Sequence, residues 1–276
     1  MSPRTACLWL VIAALAVAAC GWLQPARKPE GQRAAAGVTL DGRPVSGLSQ
    51  GELAAVLQEL AAAGNQPAVA AHFADDNGRI IPETTGRSLD GAATIAAVLA
   101  APPDTAVAAV YRPQTAAITA ADLGAARRLG GAVTPILDAS PGRLENIRLT
   151  AALINNAAIG PGQEFSFNRR TGEPTADRGF QSATVFVDGG VGEEVGGGMC
   201  QVSSTLHSAV LAAGLTVTER HPHSRPVSYI APGLDAATYT DKDLRFRNDG
   251  RQTIVLRAFT AGRRLTVDLW VLPGGA

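Results

Sequence analysis

Apolar and polar residues follow two different periods along this chain. Ser49-Gln50-Gly51-Glu52 has the form of a capping box, and Leu53, Val56, Leu57 and Leu60 follow at helical spacing up to Gly64. Val38, Leu40, Asp41-Gly42 and Val45 predict a short hairpin before it. A second helix is expected over 91–99, stopped by Pro102 and Pro103, with strands over 68–73 and 106–111. Further on, Ser140-Pro141 has the form of an N-cap with proline in the first turn. Leu144, Ile147, Ala151 and Ile154 then make one apolar stripe, ending by Gly160-Pro161-Gly162. Phe165-Ser166-Phe167-Asn168 alternates like a strand, and residues 179–187 keep that character. A helix over 201–213 buries Val202, Leu206, Ala209 and Val210 and stops at Gly214, and a strand over 215–220 follows. Residues 253–260 and 265–272 alternate with period two about Ala261-Gly262, a C-terminal hairpin.

These elements predict an α+β chain of two small mixed domains, over 37–120 and 134–274. In the second, a helix beginning at Gly-Gly-Gly-Met-Cys packs on an antiparallel sheet that ends in the C-terminal hairpin. Residues 1–20 lie outside the fold. Arg4, the uncharged apolar run from Leu8 to Ala19 and Val17-Ala18-Ala19-Cys20 have the layout of an export signal ending in a lipobox, with Cys20 as the lipidated residue. An uncleaved anchor reaching Leu23 falls short of the roughly 20 residues of a membrane span, and a plainly cleaved signal is the third option. Each places the remainder outside the cytoplasm, with the polar residues 21–36 as a tether to the membrane. Twenty-four basic and 24 acidic residues balance, so no charge field argues for nucleic acid.

Export sharpens the meaning of the cysteines. Cys7 and Cys20 belong to the leader, so Cys200 has no partner for an internal disulfide. It sits where a glycine run meets a helix, at the positive end of the helix dipole, which favours a thiolate. His207, His221 and His223 follow, whereas His72 stands apart in a predicted strand as surface or core filler. Seven residues of helix separate Cys200 from His207 by about 10 Å, too far for a hydrogen bond. A base must come from Glu219-Arg220-His221-Pro222-His223-Ser224, which the strand after the helix carries back towards its start. The expected arrangement is a thiolate–imidazolium pair with an oxyanion site in the backbone of Gly197, Gly198 and Gln201. Asp235, Asp243 or Glu219 could orient the base; the sequence leaves that choice open. A zinc site lacks paired ligand spacing, so neither a metal nor a cofactor is expected. Ser203 and Ser204 read as helix caps rather than nucleophiles, and no Gly-Lys-Ser/Thr follows the glycines to make a P-loop.

Asn146-Ile147, Pro161-Gly162, Phe165-Ser166-Phe167-Asn168, Arg178-Gly179-Phe180, the segment 196–205, Glu219-Arg220, His223-Ser224 and Asp235-Ala236 together resemble the VanW family over about 143–248. Cys200 and His223 fall on the family's cysteine and its His-Ser pair, while His221 falls on an open position. His207 replaces an aromatic, Asn156 a common glycine and Gln163 a common glutamate. Residues 37–120 resemble the peptidoglycan-binding domain that often precedes VanW domains. The resemblance implies a role at the cell wall, with peptidoglycan or its precursors as partner and the membrane reached through an N-terminal lipid or anchor. Two functions fit: cysteine-dependent acyl transfer or amide cleavage on wall peptides, and a non-catalytic wall-binding scaffold in which Cys200 is merely packed.

Overall fold

The structure, a computed structural model, describes residues 31–74, 79–187 and 190–274. The export segment, the start of the tether and Cys20 lie outside the described residues. Among those described, no helix is long and apolar enough to cross a membrane. The described residues have an α+β architecture of six α-helices and several small sheets, largely antiparallel. Its contacts divide it into two compact units, residues 31–59 with 90–110 and residues 60–89 with 111–274. The division thus runs through the segment 37–120 rather than at its end.

In the first unit, Thr39–Leu40 pairs antiparallel with Arg43–Pro44 and parallel with Ala106–Val107. The hairpin turns through Asp41 (φ 46°) and Gly42 (φ 78°), left-handed values that Asp and Gly tolerate. Helix α1 (Gln50–Gly64) begins with both halves of the capping box. The Ser49 N–H donates to Glu52 Oε2 at 2.7 Å, and the Glu52 N–H to Ser49 Oγ at 3.4 Å. Helix α2 (Gly91–Ala100) is capped by Asp90, whose Oδ1 accepts from the Ala93 N–H at 3.1 Å.

The second unit is built on a four-stranded antiparallel sheet, ordered 127–135, 264–271, 254–261, 158–159. A short helix, α3 (Ala120–Gly124), precedes it. Helices α4 (Pro141–Ile154) and α6 (Met199–Ala212) cover one face. Period-two alternation assigns the side chains. Ile254, Leu256, Ala258, Leu265, Val267 and Leu269 turn to the core they share with Ile147, Ile154, Leu206 and Val210. Val255 and Trp270 face the opposite way, onto Phe73, Leu123 and Leu272. Each fully buried Leu or Ile contributes roughly 1.5–3 kcal/mol, so this sheet and its two helices hold most of the unit's stability. At Gly130 a Cβ would lie 2.4 Å from the Ala213 nitrogen, so only glycine lets the sheet meet the end of α6.

Several local expectations are corrected. Ser140 makes no side-chain cap bond; its N–H donates to Asp138 Oδ1 instead. Helix α4 stops at Ile154, short of Gly160, because Asn155 and Asn156 turn the chain. Asn156 takes φ 59°, the conformation in which glycine is common, and its amide brackets the backbone of Phe73 at 2.7 and 2.9 Å. Over 68–73 only His72–Phe73 forms a strand. After Ser166 the alternating stretch becomes helix α5 (Phe167–Thr171), since Ser166 Oγ accepts from the Arg169 N–H and Asp243 Oδ1 from that of Asn168. Glu164–Ser166, Arg245–Arg247 and Thr216–Glu219 form a separate three-stranded sheet, and Ser182–Val187 and Gly190–Val195 a hairpin.

Candidate active site

Three glycines set the entry to α6. Gly198, the N-cap residue, takes φ 114°, and a Cβ on it would meet Ile147 Cγ1 at 3.0 Å and Arg143 Cγ at 3.2 Å. A side chain on Gly197 would strike the Ala183 carbonyl oxygen at 2.7 Å. Asn146, buried in α4, pins this run: its Nδ2 donates to the carbonyls of Gly197 (3.0 Å) and Gln181 (2.8 Å), and its Oδ1 accepts from the Gln181 N–H (2.8 Å). The result holds Cys200, a free and partly buried thiol, in the first turn of α6.

Cys200 and His223 line the same cavity, and each shifts the proton affinity of the other. The Cys200 thiol approaches the Thr238 carbonyl at 3.6 Å. His223 Nδ1 lies 2.8 Å from Asp235 Oδ2, so that Nε2 is the ring nitrogen left for another partner. That same oxygen accepts from the His223 backbone N–H at 2.7 Å. Asp235 Oδ1 is held by Arg220 Nη2 at 2.8 Å, while Arg220 Nε donates to the Asp235 carbonyl at 2.7 Å. The carboxylate is therefore clamped from both sides. Burial pushes the Cys200 thiol up, but the neighbouring His223 side chain and its charge, with the contacts to Thr238, outweigh it, and its pKa lies below the ordinary thiol value. Burial alone would lower His223, but the neighbouring Cys200 and Asp235 carry its pKa above the usual imidazole value. Asp235 is held below the usual carboxylate range because His223 and Arg220 outweigh its desolvation.

The other carboxylates considered for the third position are engaged elsewhere. Asp243 binds Ser166 Oγ (2.6 Å), the Asn168 N–H and Arg245, and Glu219 pairs with His221 (3.0 Å) and Arg245. His207 Nδ1 lies 2.8 Å from the Leu234 carbonyl oxygen, inside the structure, and His72 Nδ1 3.1 Å from that of Ala70. Two expectations about α6 change. The Gln201 N–H donates to the Gly198 carbonyl (3.0 Å) and that of Gly197 to Glu194 (3.4 Å), whereas among the described residues the N–H groups of Gly198 and Cys200 meet no acceptor. Ser203 and Ser204 are not caps; fully buried, they seize both backbone groups of Ala236. Ser203 Oγ donates to its carbonyl at 2.7 Å, and its N–H donates to Ser204 Oγ at 2.9 Å. The segment 235–238 is thus a crossbar joining the cysteine helix to the histidine loop. Nothing local in the sequence marks it, although two serines amid an apolar helical stripe signal buried hydrogen-bond partners.

Cys200 and His223 open onto a cavity of about 540 Å³, a volume suited to a small ligand or a short stretch of peptide. Arg143, Glu173, Glu194, Val195, Tyr229 and Tyr239 are among its walls. The Tyr229 hydroxyl lies 3.3 Å from the Cys200 carbonyl oxygen, and burial pushes its pKa well above the ordinary phenol value. Sequence reasoning passed over Tyr229 and Arg143, which carry no motif. Among the described residues, no three His, Cys, Asp or Glu side chains converge as a metal-binding set.

Residues 142–270 match the family model described as VanW like protein. The chain is 41% identical over 145 residues to a Bacillus subtilis (strain 168) protein described as "Uncharacterized protein YoaR", covering 52% of this chain and 48% of that relative. It is 33% identical over 110 residues to the "Vancomycin B-type resistance protein VanW" of Enterococcus faecalis (strain ATCC 700802 / V583), covering 38% and 40%. Each match thus spans less than half of the relative's length. No solved structure matches the chain. Residues 142–270, which carry Cys200, His223 and Asp235, are thus similar to the VanW family and form a VanW-like domain.

Proposed function

We propose that this protein is an extracytoplasmic, membrane-tethered acyl-transfer or amide-cleaving enzyme acting through Cys200 on peptides of peptidoglycan or its precursors. One observation carries the chemistry: a thiol and an imidazole share the wall of one cavity, and the imidazole is hydrogen-bonded to a clamped carboxylate. The thiolate attacks the acyl carbon, and the carbonyl electron pair moves onto oxygen, where the N–H groups of Cys200 and Gly198 are the available donors. Collapse of the intermediate expels the amine, which takes its proton from the His223 imidazolium and leaves a thioester on Cys200. Water or a second amine, losing its proton to His223, resolves the thioester and restores the thiol. Asp235 keeps the imidazole in its working tautomer and favours its charged form, as the carboxylate does in hydrolase triads.

The wall as workplace is supported by the family and by the export pattern of the first 20 residues, with Cys20 as lipid anchor. Residues 37–120 would hold wall polymer. Alkylation by iodoacetamide across pH tests the chemistry. Cys200 reacts with an onset below the ordinary thiol value of about 8.5, and Cys200→Ser abolishes both labelling and release of products from wall fragments. An onset at 8.5, with equal wall binding and no product from either chain, leaves a wall-binding scaffold in place of an enzyme.

A further inference from the structure

Arg143 is the only arginine or lysine among the described residues that line the cavity of Cys200. Three contacts locate it. Its Cγ lies 3.2 Å from where a Gly198 side chain would begin, at the mouth of α6. Its Nη1 donates to the Thr184 carbonyl at 3.2 Å, on the cavity's hairpin wall. Its charge acts on Tyr229, whose hydroxyl is 3.3 Å from the Cys200 carbonyl oxygen. The side chain is half-buried, and among the described residues no carboxylate forms an ion pair with it, although Asp138 feels its charge at longer range. A guanidinium has five donors in a planar fork suited to a carboxylate. One donor of Arg143 is used by Thr184, and the side chain lines the same cavity as Cys200. The two carboxylates among the described lining residues, Glu173 and Glu194, are exposed and disfavour an anion on their side of the cavity.

We propose that Arg143 binds a free carboxylate of the acyl donor, so that the substrate class is a peptide with a carboxylate close to the bond that Cys200 attacks. The proposal rests on the thiol chemistry proposed above, and one pair of reagents separates the two. Iodoacetamide and iodoacetate alkylate by the same displacement: sulfur forms the new C–S bond and iodide leaves with its electron pair. They differ in that iodoacetate carries a carboxylate. In the full chain the rate ratio of iodoacetate to iodoacetamide should fall about tenfold on Arg143→Gln, the loss of one charge-assisted hydrogen bond. Arg143→Lys should restore part of it. The His223 imidazolium attracts iodoacetate in every variant and so cancels from the comparison, and the ratio corrects for any change in the thiol itself. An unchanged ratio in Arg143→Gln overturns the carboxylate site while leaving Cys200 chemistry intact. An ordinary thiol profile with iodoacetamide in the wild-type chain overturns both.

Discussion

At Cys200 two opposing effects act on one proton. Desolvation holds it on the sulfur, and the imidazole of His223 draws it away; the second wins. Reactivity therefore rises as pH passes upward through the lowered Cys200 value, and it loses its cationic partner only when pH rises through the raised value of His223. The sign of an Asp235 substitution follows. Asp235→Asn removes the charge that favours imidazolium, so the His223 pKa falls, the Cys200 pKa climbs and the onset of alkylation moves to higher pH. We expect a displacement of about one unit, or about tenfold in rate below the onset, in an iodoacetamide pH profile. A profile that stays in place would remove Asp235 from the proton chain. Arg220 acts one bond further out, fixing the carboxylate that fixes the ring.

Among the elements, helix α6 and the segment 235–238 matter most, because together they decide whether sulfur and ring meet. The two are stitched by Ser203 and Ser204, both fully buried. Ser204 also donates to the Cys200 carbonyl at 2.6 Å. Ser204→Ala leaves the Ala236 N–H buried without an acceptor, which costs about 1–3 kcal/mol and should appear as a lower urea midpoint. If the crossbar sets the register, the same variant also raises the pH at which Cys200 alkylates. A lower midpoint with the wild-type pH profile would confine Ser204 to stability.

For the whole molecule, the site stands on the core shared by α4, α6 and the four-stranded sheet. Leu256, fully buried there, should cost about 2–5 kcal/mol when cut to alanine, read in thermal unfolding, with thiol reactivity intact below the transition. What was legible in the sequence is what short-range physics dictates. The capping box of α1, the apolar faces of α4 and α6 and the alternation of the C-terminal hairpin depend on neighbours a few residues away. The isolation of Cys200 at a glycine-rich helix start depends on composition and adjacency alone. Strand 127–135, by contrast, carries two arginines and two glycines, and forms because 264–271 pairs with it from far along the chain. The stretch after Ser166 became a helix because Asp243, distant in sequence, holds the Asn168 N–H. Three carboxylates were chemically equal candidates beside His223. Only the crossbar, whose register is set by buried serines on another element, brought Asp235 to the ring and sent Asp243 and Glu219 to Arg245. Local residues thus determined the elements and singled out Cys200, whereas non-local hydrogen bonds in the folded chain decided what surrounds it.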